Sequence, residues 1–243
     1  MENVYRIYPV VTCKLRLPMG ELTWRRNYDK WILAPVYSFL VKGGREPFLI
    51  DTGISLQEMK ARANPVVFHG GEEGTDIEES LNKLGVSSSD IKTIVLTHIH
   101  PDHFLNAKNF PNAKLIVQDE ELKFARNPHP LFNRQYQQPW LEGLHFETVD
   151  GDTEIMPGVD VISTPGHSPG GHSVSVNTQR GKILIVGYCS LEENFIDEAD
   201  IVPGIHIDLF QLYESLVKIR EMGKKGYTVI PLHSQRLLSV EYL

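Results

Sequence analysis

Seven consecutive residues, Thr97-His98-Ile99-His100-Pro101-Asp102-His103, place three imidazoles and one carboxylate within six positions. Imidazole nitrogen and carboxylate oxygen together suit a divalent cation. Just before them, Thr93-Ile94-Val95-Leu96 reads as a short buried strand. Alternate side chains of a strand share a face, so His98, His100 and Asp102 converge if the extended geometry persists. The chain must then turn, and His103 leaves from the next element at another angle. One run can therefore feed two neighbouring metal positions.

The elements that must position this run are legible as short strands rich in Val and Ile. They are Val4–Val11, Val36–Val41, Phe48–Ile50, Thr93–Leu96, Lys114–Val117, Val159–Ser163, Ser173–Val176, Ile183–Val186 and Thr228–Ile230. Two helices stand out. Thr75-x-x-Glu78 is a capping box ahead of Ile77, Leu81 and Leu84. Leu209, Leu212, Leu216 and Ile219 form a second apolar stripe that ends near Gly223, with Asp208 as its N-cap. Strands interleaved with one-faced helices predict an α/β fold, with sheets covered outside by helices. Ser55 to Gly74 and Arg126 to Gly143 show no clear period. Long irregular segments tend to be binding loops, though aromatic loop residues also staple loops to a core.

Composition bounds the rest. The chain has 243 residues, 41% hydrophobic and 23% charged, ordinary values for one globular domain spanning 1–243. A formal charge of −7 argues against a nucleic-acid partner. No apolar run is long enough to cross a membrane, and Met1-Glu2-Asn3-Val4-Tyr5-Arg6 lacks the pattern of a signal peptide. Two cysteines, Cys13 and Cys189, provide no disulfide framework, which suits a cytoplasmic setting. The oligomeric state is open, a homodimer included.

His98-x-His100-x-Asp102-His103 resembles the signature of the metallo-β-lactamase superfamily. Four further stretches fall in the order of that family: Phe48 to Gly53, Thr164 to Gly170, Lys182 to Gly187 and Val229 to His233. The resemblance implies a four-layer αββα sandwich of two face-to-face sheets. It implies one metal held by His98, His100 and His167, and a second held by Asp102, His103 and His233. Zinc is the first expectation, and iron, manganese or cobalt accept the same donors. Asp51 would accept the outer N–H of a ligand histidine, and it also reads as a turn residue in Asp51-Thr52-Gly53.

The family's bridging aspartate is missing. After the strand that ends near Gly187, the chain reads Tyr188-Cys189-Ser190, with no carboxylate until Glu192. Matching the glycine puts Tyr188 at the bridging position, and matching the spacing to His167 and His233 puts Cys189 there. Cys189 is the expected ligand, with a buried packing role as the alternative. If neither residue binds, the site holds one ion.

The implied chemistry is hydrolysis of a small-molecule substrate, with activated water attacking a carbonyl and Asp102 handling the proton. The expected nucleophile is water rather than a serine hydroxyl. The chain looks most like the lactonase branch, which includes N-acyl homoserine lactonases, although the tyrosine that follows the bridging residue there is absent. A thioesterase of the glyoxalase II type and a non-hydrolytic metal or redox sensor are the alternatives. Phe132, Tyr136 and Trp140, on the segment from Arg126 to Gly143, are candidates to border the cleft.

Overall fold

The computed structural model describes residues 4–62, 68–196 and 200–243. Its strands are β1 (Arg6–Pro18), β2 (Trp31–Lys42), β3 (Phe48–Ile50), β4 (Gly71–Glu73), β5 (Thr93–Val95), β6 (Lys114–Gln118), β7 (His145–Val149), β8 (Thr153–Met156), β9 (Val159–Ser163), β10 (His172–Thr178), β11 (Gly181–Ile185) and β12 (Thr228–Ile230). The α-helices are α1 (Leu56–Arg62), α2 (Ile77–Lys83), α3 (Pro101–Phe104), α4 (Asp119–Arg126), α5 (Gln138–Leu141) and α6 (Leu209–Lys224). One sheet runs β4-β1-β2-β3-β5-β6-β7 and the other β12-β11-β10-β9-β8.

Strand alternation builds the layers. In β2, Tyr37, Phe39 and Val41 face the second sheet and meet Val159, Val161, Val174, Val176, Ile183 and Ile185. The intervening Val36 and Leu40 face outward, onto Ile77 and Leu81 of α2, Phe104 of α3, and Leu122 and Ala125 of α4. In β11, Leu184 points the other way from Ile183 and Ile185. It packs with Leu212, Leu216 and Ile219 of α6. Both faces of both sheets are therefore buried, and the layer order is helix, sheet, sheet, helix. No helix of the described residues is long and apolar enough to cross a membrane.

Several sequence expectations need correction. Asp76 rather than Thr75 caps α2, with its side chain accepting from Glu79 N at 3.0 Å. The Thr75 N–H is committed instead to Val11 O at the edge of β1. The segment from Ser55 to Gly74 contains α1 and β4, while residues 63–67 lie outside the described residues. Strands β7 and β8 went unread because they lie at sheet edges with few fully buried side chains.

The sheets bring one kind of strand end together. Strands β3 and β5 are parallel, as are β11 and β12, and β9 runs with β11 because each is antiparallel to β10. The segments after the C-terminal ends of these five strands carry Asp51, His98, His167, Cys189 and His233.

Candidate metal centre

His98, His100 and His167 each offer a ligand atom within 4.8 Å of the others, and Asp102, His103 and His233 form a second such group. His98 and His100 follow the end of β5, with His100 on extended backbone as the N-cap of α3. Pro101 opens that helix, as its fixed φ allows. Asp102 and His103 therefore lie on a helical turn. The expectation that Asp102 shares a strand face with His98 and His100 is corrected on this point: the helix sends Asp102 into the second group.

The outer ring nitrogens of His98, His103, His167 and His233 are committed. Asp51 Oδ1 accepts from Thr97 N at 2.7 Å, and Oδ2 accepts from Thr97 Oγ1 at 2.8 Å and from His103 Nδ1 at 2.9 Å. With its proton given to Asp51, Thr97 Oγ1 accepts from His98 Nδ1 at 3.0 Å. His167 Nδ1 donates to Ile205 O at 2.8 Å, and His233 Nδ1 donates to Pro35 O at 2.8 Å. Each of these tautomers leaves the inward Nε2 with a lone pair.

Those lone pairs converge. His167 Nε2 lies 3.2 Å from His98 Nε2 and 3.1 Å from His100 Nδ1. Neither His167 nor His98 has a proton on Nε2 to share, so the close pair suits a cation between the rings. His103 Nε2 lies 3.1 Å from Asp102 Oδ2 but is buried without a hydrogen-bond partner. The residues thus fit two divalent cations.

Cys189 lies where the two groups meet. Its Sγ is 3.3 Å from His233 Nε2 of the second group, and it also faces His167 of the first. Burial opposes a thiolate, but the surrounding imidazoles of His167 and His233 pull the thiol well below its ordinary range. Burial likewise opposes charge on His103, yet Asp102 and Asp51 outweigh it and raise that imidazole. His98 is held well below the usual histidine range by burial and by its crowd of neighbouring rings.

Tyr188 is not at the centre. It packs with Leu212, Leu216 and Ile219 under α6, so the alternative that places it at the bridging position is corrected. Phe132 and Trp140 pack against other aromatic side chains. Phe132 packs edge-on against Phe124, and Trp140 is buried beside Phe104 with Arg62 over its ring. Tyr136 does border the centre: its ring lies 5.1 Å from that of His100, and its hydroxyl donates to Glu121 Oε1 at 3.1 Å.

Glu121 was missed. It is a fully buried carboxylate in the first turn of α4. A signal existed, since it shares a helix face with buried Ala125 four residues on. The other side of the centre is apolar. Leu22 and Leu191 pack with Cys189, flanked by Met19, Ile32 and Ile205.

A four-layer sandwich with two His-rich ligand groups at its strand ends defines a metal-dependent hydrolase. The chain belongs to the metallo-beta-lactamase superfamily, whose family model matches residues 31–230. It is 31% identical over 241 residues to N-acyl homoserine lactonase AiiA of Bacillus thuringiensis subsp. kurstaki, covering 94% of this chain and 92% of that one. It is 26% identical over 246 residues to N-acyl homoserine lactonase AttM of Rhizobium radiobacter, with the same coverage of 94% and 92%. Among solved structures, it superposes with a TM-score of 0.84 on an N-acyl homoserine lactone hydrolase bound to its product N-hexanoyl-L-homoserine, at 24% identity and full coverage of both chains. AidC, a dizinc quorum-quenching lactonase, gives a TM-score of 0.74 at 19% identity, covering 100% of this chain and 90% of that one.

Proposed function

We propose that this protein hydrolyses the lactone ring of N-acyl homoserine lactones, with two zinc ions held by His98, His100 and His167 and by Asp102, His103 and His233. The observation that carries the reading is the meeting of two three-donor groups at Cys189, whose sulfur touches His233 and faces His167. Similarity to AiiA over 94% of the chain supports the lactone. The apolar wall of Met19, Leu22, Ile32, Leu191 and Ile205 suits an acyl chain.

Bound divalent cations would supply Lewis acidity, activating water and polarising the ester carbonyl. The protein supplies placement. Asp51, Pro35 O and Ile205 O hold the rings of His103, His233 and His167 in fixed tautomers. Asp102, partly exposed beside His103, takes the proton of the attacking water on a carboxylate oxygen and returns it to the leaving ring oxygen. Cys189 is the soft anionic ligand in the place of the family's aspartate.

The test is metal analysis of the purified protein, paired with turnover of N-hexanoyl and N-decanoyl homoserine lactones, simple lactones and a glutathione thioester. Ring opening that is lost in Asp102→Ala is expected. Preference for the thioester would move the assignment to that class. Tight metal with no turnover on any ester would make this a metal-binding or redox-sensing protein instead.

A further inference from the structure

We infer that Glu121 is the positioning residue for the His98/His100/His167 group, a single buried carboxylate that sets the spacing between the two loops carrying those ligands. The inference rests on the reading that this group holds a metal ion.

Glu121 Oε1 accepts from the backbone N–H of Ile99 at 2.9 Å. Ile99 stands between His98 and His100, so fixing its peptide orients both. Glu121 Oε2 accepts from Gly170 N at 3.0 Å, three residues past His167. One side chain thus grips both ligand loops, which come from different sheets. The carboxylate also accepts from the hydroxyl of Tyr136 at 3.1 Å.

All three of these donors are neutral. Burial of a carboxylate with only neutral partners is costly and persists where the geometry is needed. Burial pushes this carboxyl above its ordinary range, while the Ile99, Gly170 and Tyr136 contacts pull it back. Contact with the second loop is close: a Cβ at Gly170 would lie 2.2 Å from Glu121 N, so only glycine lets the loop seat on the start of α4. Tyr136 extends the link to the segment from Arg126 to Gly143, since the ring that reaches Glu121 also packs on His100.

Glu121→Gln tests this. Glutamine keeps the size and one acceptor oxygen, but turns an amide NH2 against either Ile99 N–H or Gly170 N–H. In the zinc-loaded protein, chelator competition should show zinc at the His98/His100/His167 group weakened by about 10–100-fold, the usual effect of losing a partner behind the ligands. The visible spectrum of the cobalt-substituted protein should shift with it. Wild-type zinc affinity and an unchanged cobalt spectrum, with only a lower unfolding midpoint, would make Glu121 a packing residue and overturn the inference. If Glu121→Gln does not fold, Tyr136→Phe removes one donor and leaves both loop contacts. It should weaken zinc less and still shift the cobalt spectrum, and wild-type values for both would overturn the inference. A wild-type protein that binds no zinc would overturn the functional reading itself, and this inference with it.

Discussion

Cys189 Sγ and His233 Nε2 lie 3.3 Å apart at the point where the two ligand groups meet. A thiolate there is a soft, negatively charged donor that suits zinc or cobalt better than manganese. Cys189→Ala should weaken the more labile ion by at least about tenfold, since it removes a direct ligand where loss of a mere supporting partner already costs that much. Cobalt-substituted wild type should show a near-ultraviolet thiolate-to-cobalt band that the variant lacks. Cys189→Asp should keep hydrolysis, because it restores the family's oxygen donor. Unchanged stoichiometry and no thiolate band would reduce Cys189 to packing.

Asp51 gathers Thr97 N, Thr97 Oγ1 and His103 Nδ1 on one buried carboxylate, and through Thr97 it also fixes His98. Its φ is +54°, a left-handed conformation that Asn and Asp tolerate better than most residues. Asp51→Asn therefore tests the chemistry without adding backbone strain. The amide would face at least one donor with its own NH2. Zinc affinity should fall about 10–100-fold, with kcat falling more than KM. Equal affinity and rate would show that Asp51 serves the turn alone.

Much of this centre was legible because the ligands sit in compact runs beside strands with a clear pattern. The misplaced parts have physical causes. Asp102 went to the wrong face because Pro101 starts a helix directly after His100. The choice between Tyr188 and Cys189 was decided by parity: Leu184, Val186 and Tyr188 alternate along one face and pack under α6, which leaves Cys189 to turn toward the histidines. Pro35 O and Ile205 O had no sequence signal, since every residue carries a carbonyl. Glu121 stands among three acidic residues of a helix's first turn, its only sequence signal being the four-residue spacing to Ala125, and its burial and contacts single it out.

His172 opens β10 fully buried, with neither ring nitrogen hydrogen-bonded among the described residues. Burial pushes its imidazole down to about 3. An unfolded histidine titrates near 6.5, so between these values the unfolded chain binds the extra proton. Stability from the neutral ring is present above about pH 6.5 and is lost as pH falls toward 3, reaching roughly 5 kcal/mol at full development. His172→Leu removes the titration and two unpaired polar atoms, and should be near neutral at pH 7. Below pH 6 its stability relative to wild type should grow by about 1.4 kcal/mol per pH unit. Denaturant unfolding at pH 7, 6, 5 and 4 measures this, and parallel stability curves would refute it.

Gly166, the residue before His167, has φ +119°, and a Cβ there would lie 2.1 Å from Leu212 N in the first turn of α6. The Gly166 carbonyl accepts from Ile207 N at 2.8 Å and from Asp208 N at 2.9 Å, so the loop is clamped to the start of that helix. Ser215 Oγ adds a bond to Pro165 O at 2.7 Å. The seat on α6 thus decides where His167 points, and Ile205 O, just upstream of that helix, decides its tautomer. Gly166→Ala adds backbone strain of about 1–3 kcal/mol and forces loop and helix apart. Thermal unfolding should show the loss of stability, and chelator competition should show weaker zinc at the His98/His100/His167 group. A variant that loses stability but holds zinc as tightly as wild type would mean that the ligands, and not the helix, set the position of His167.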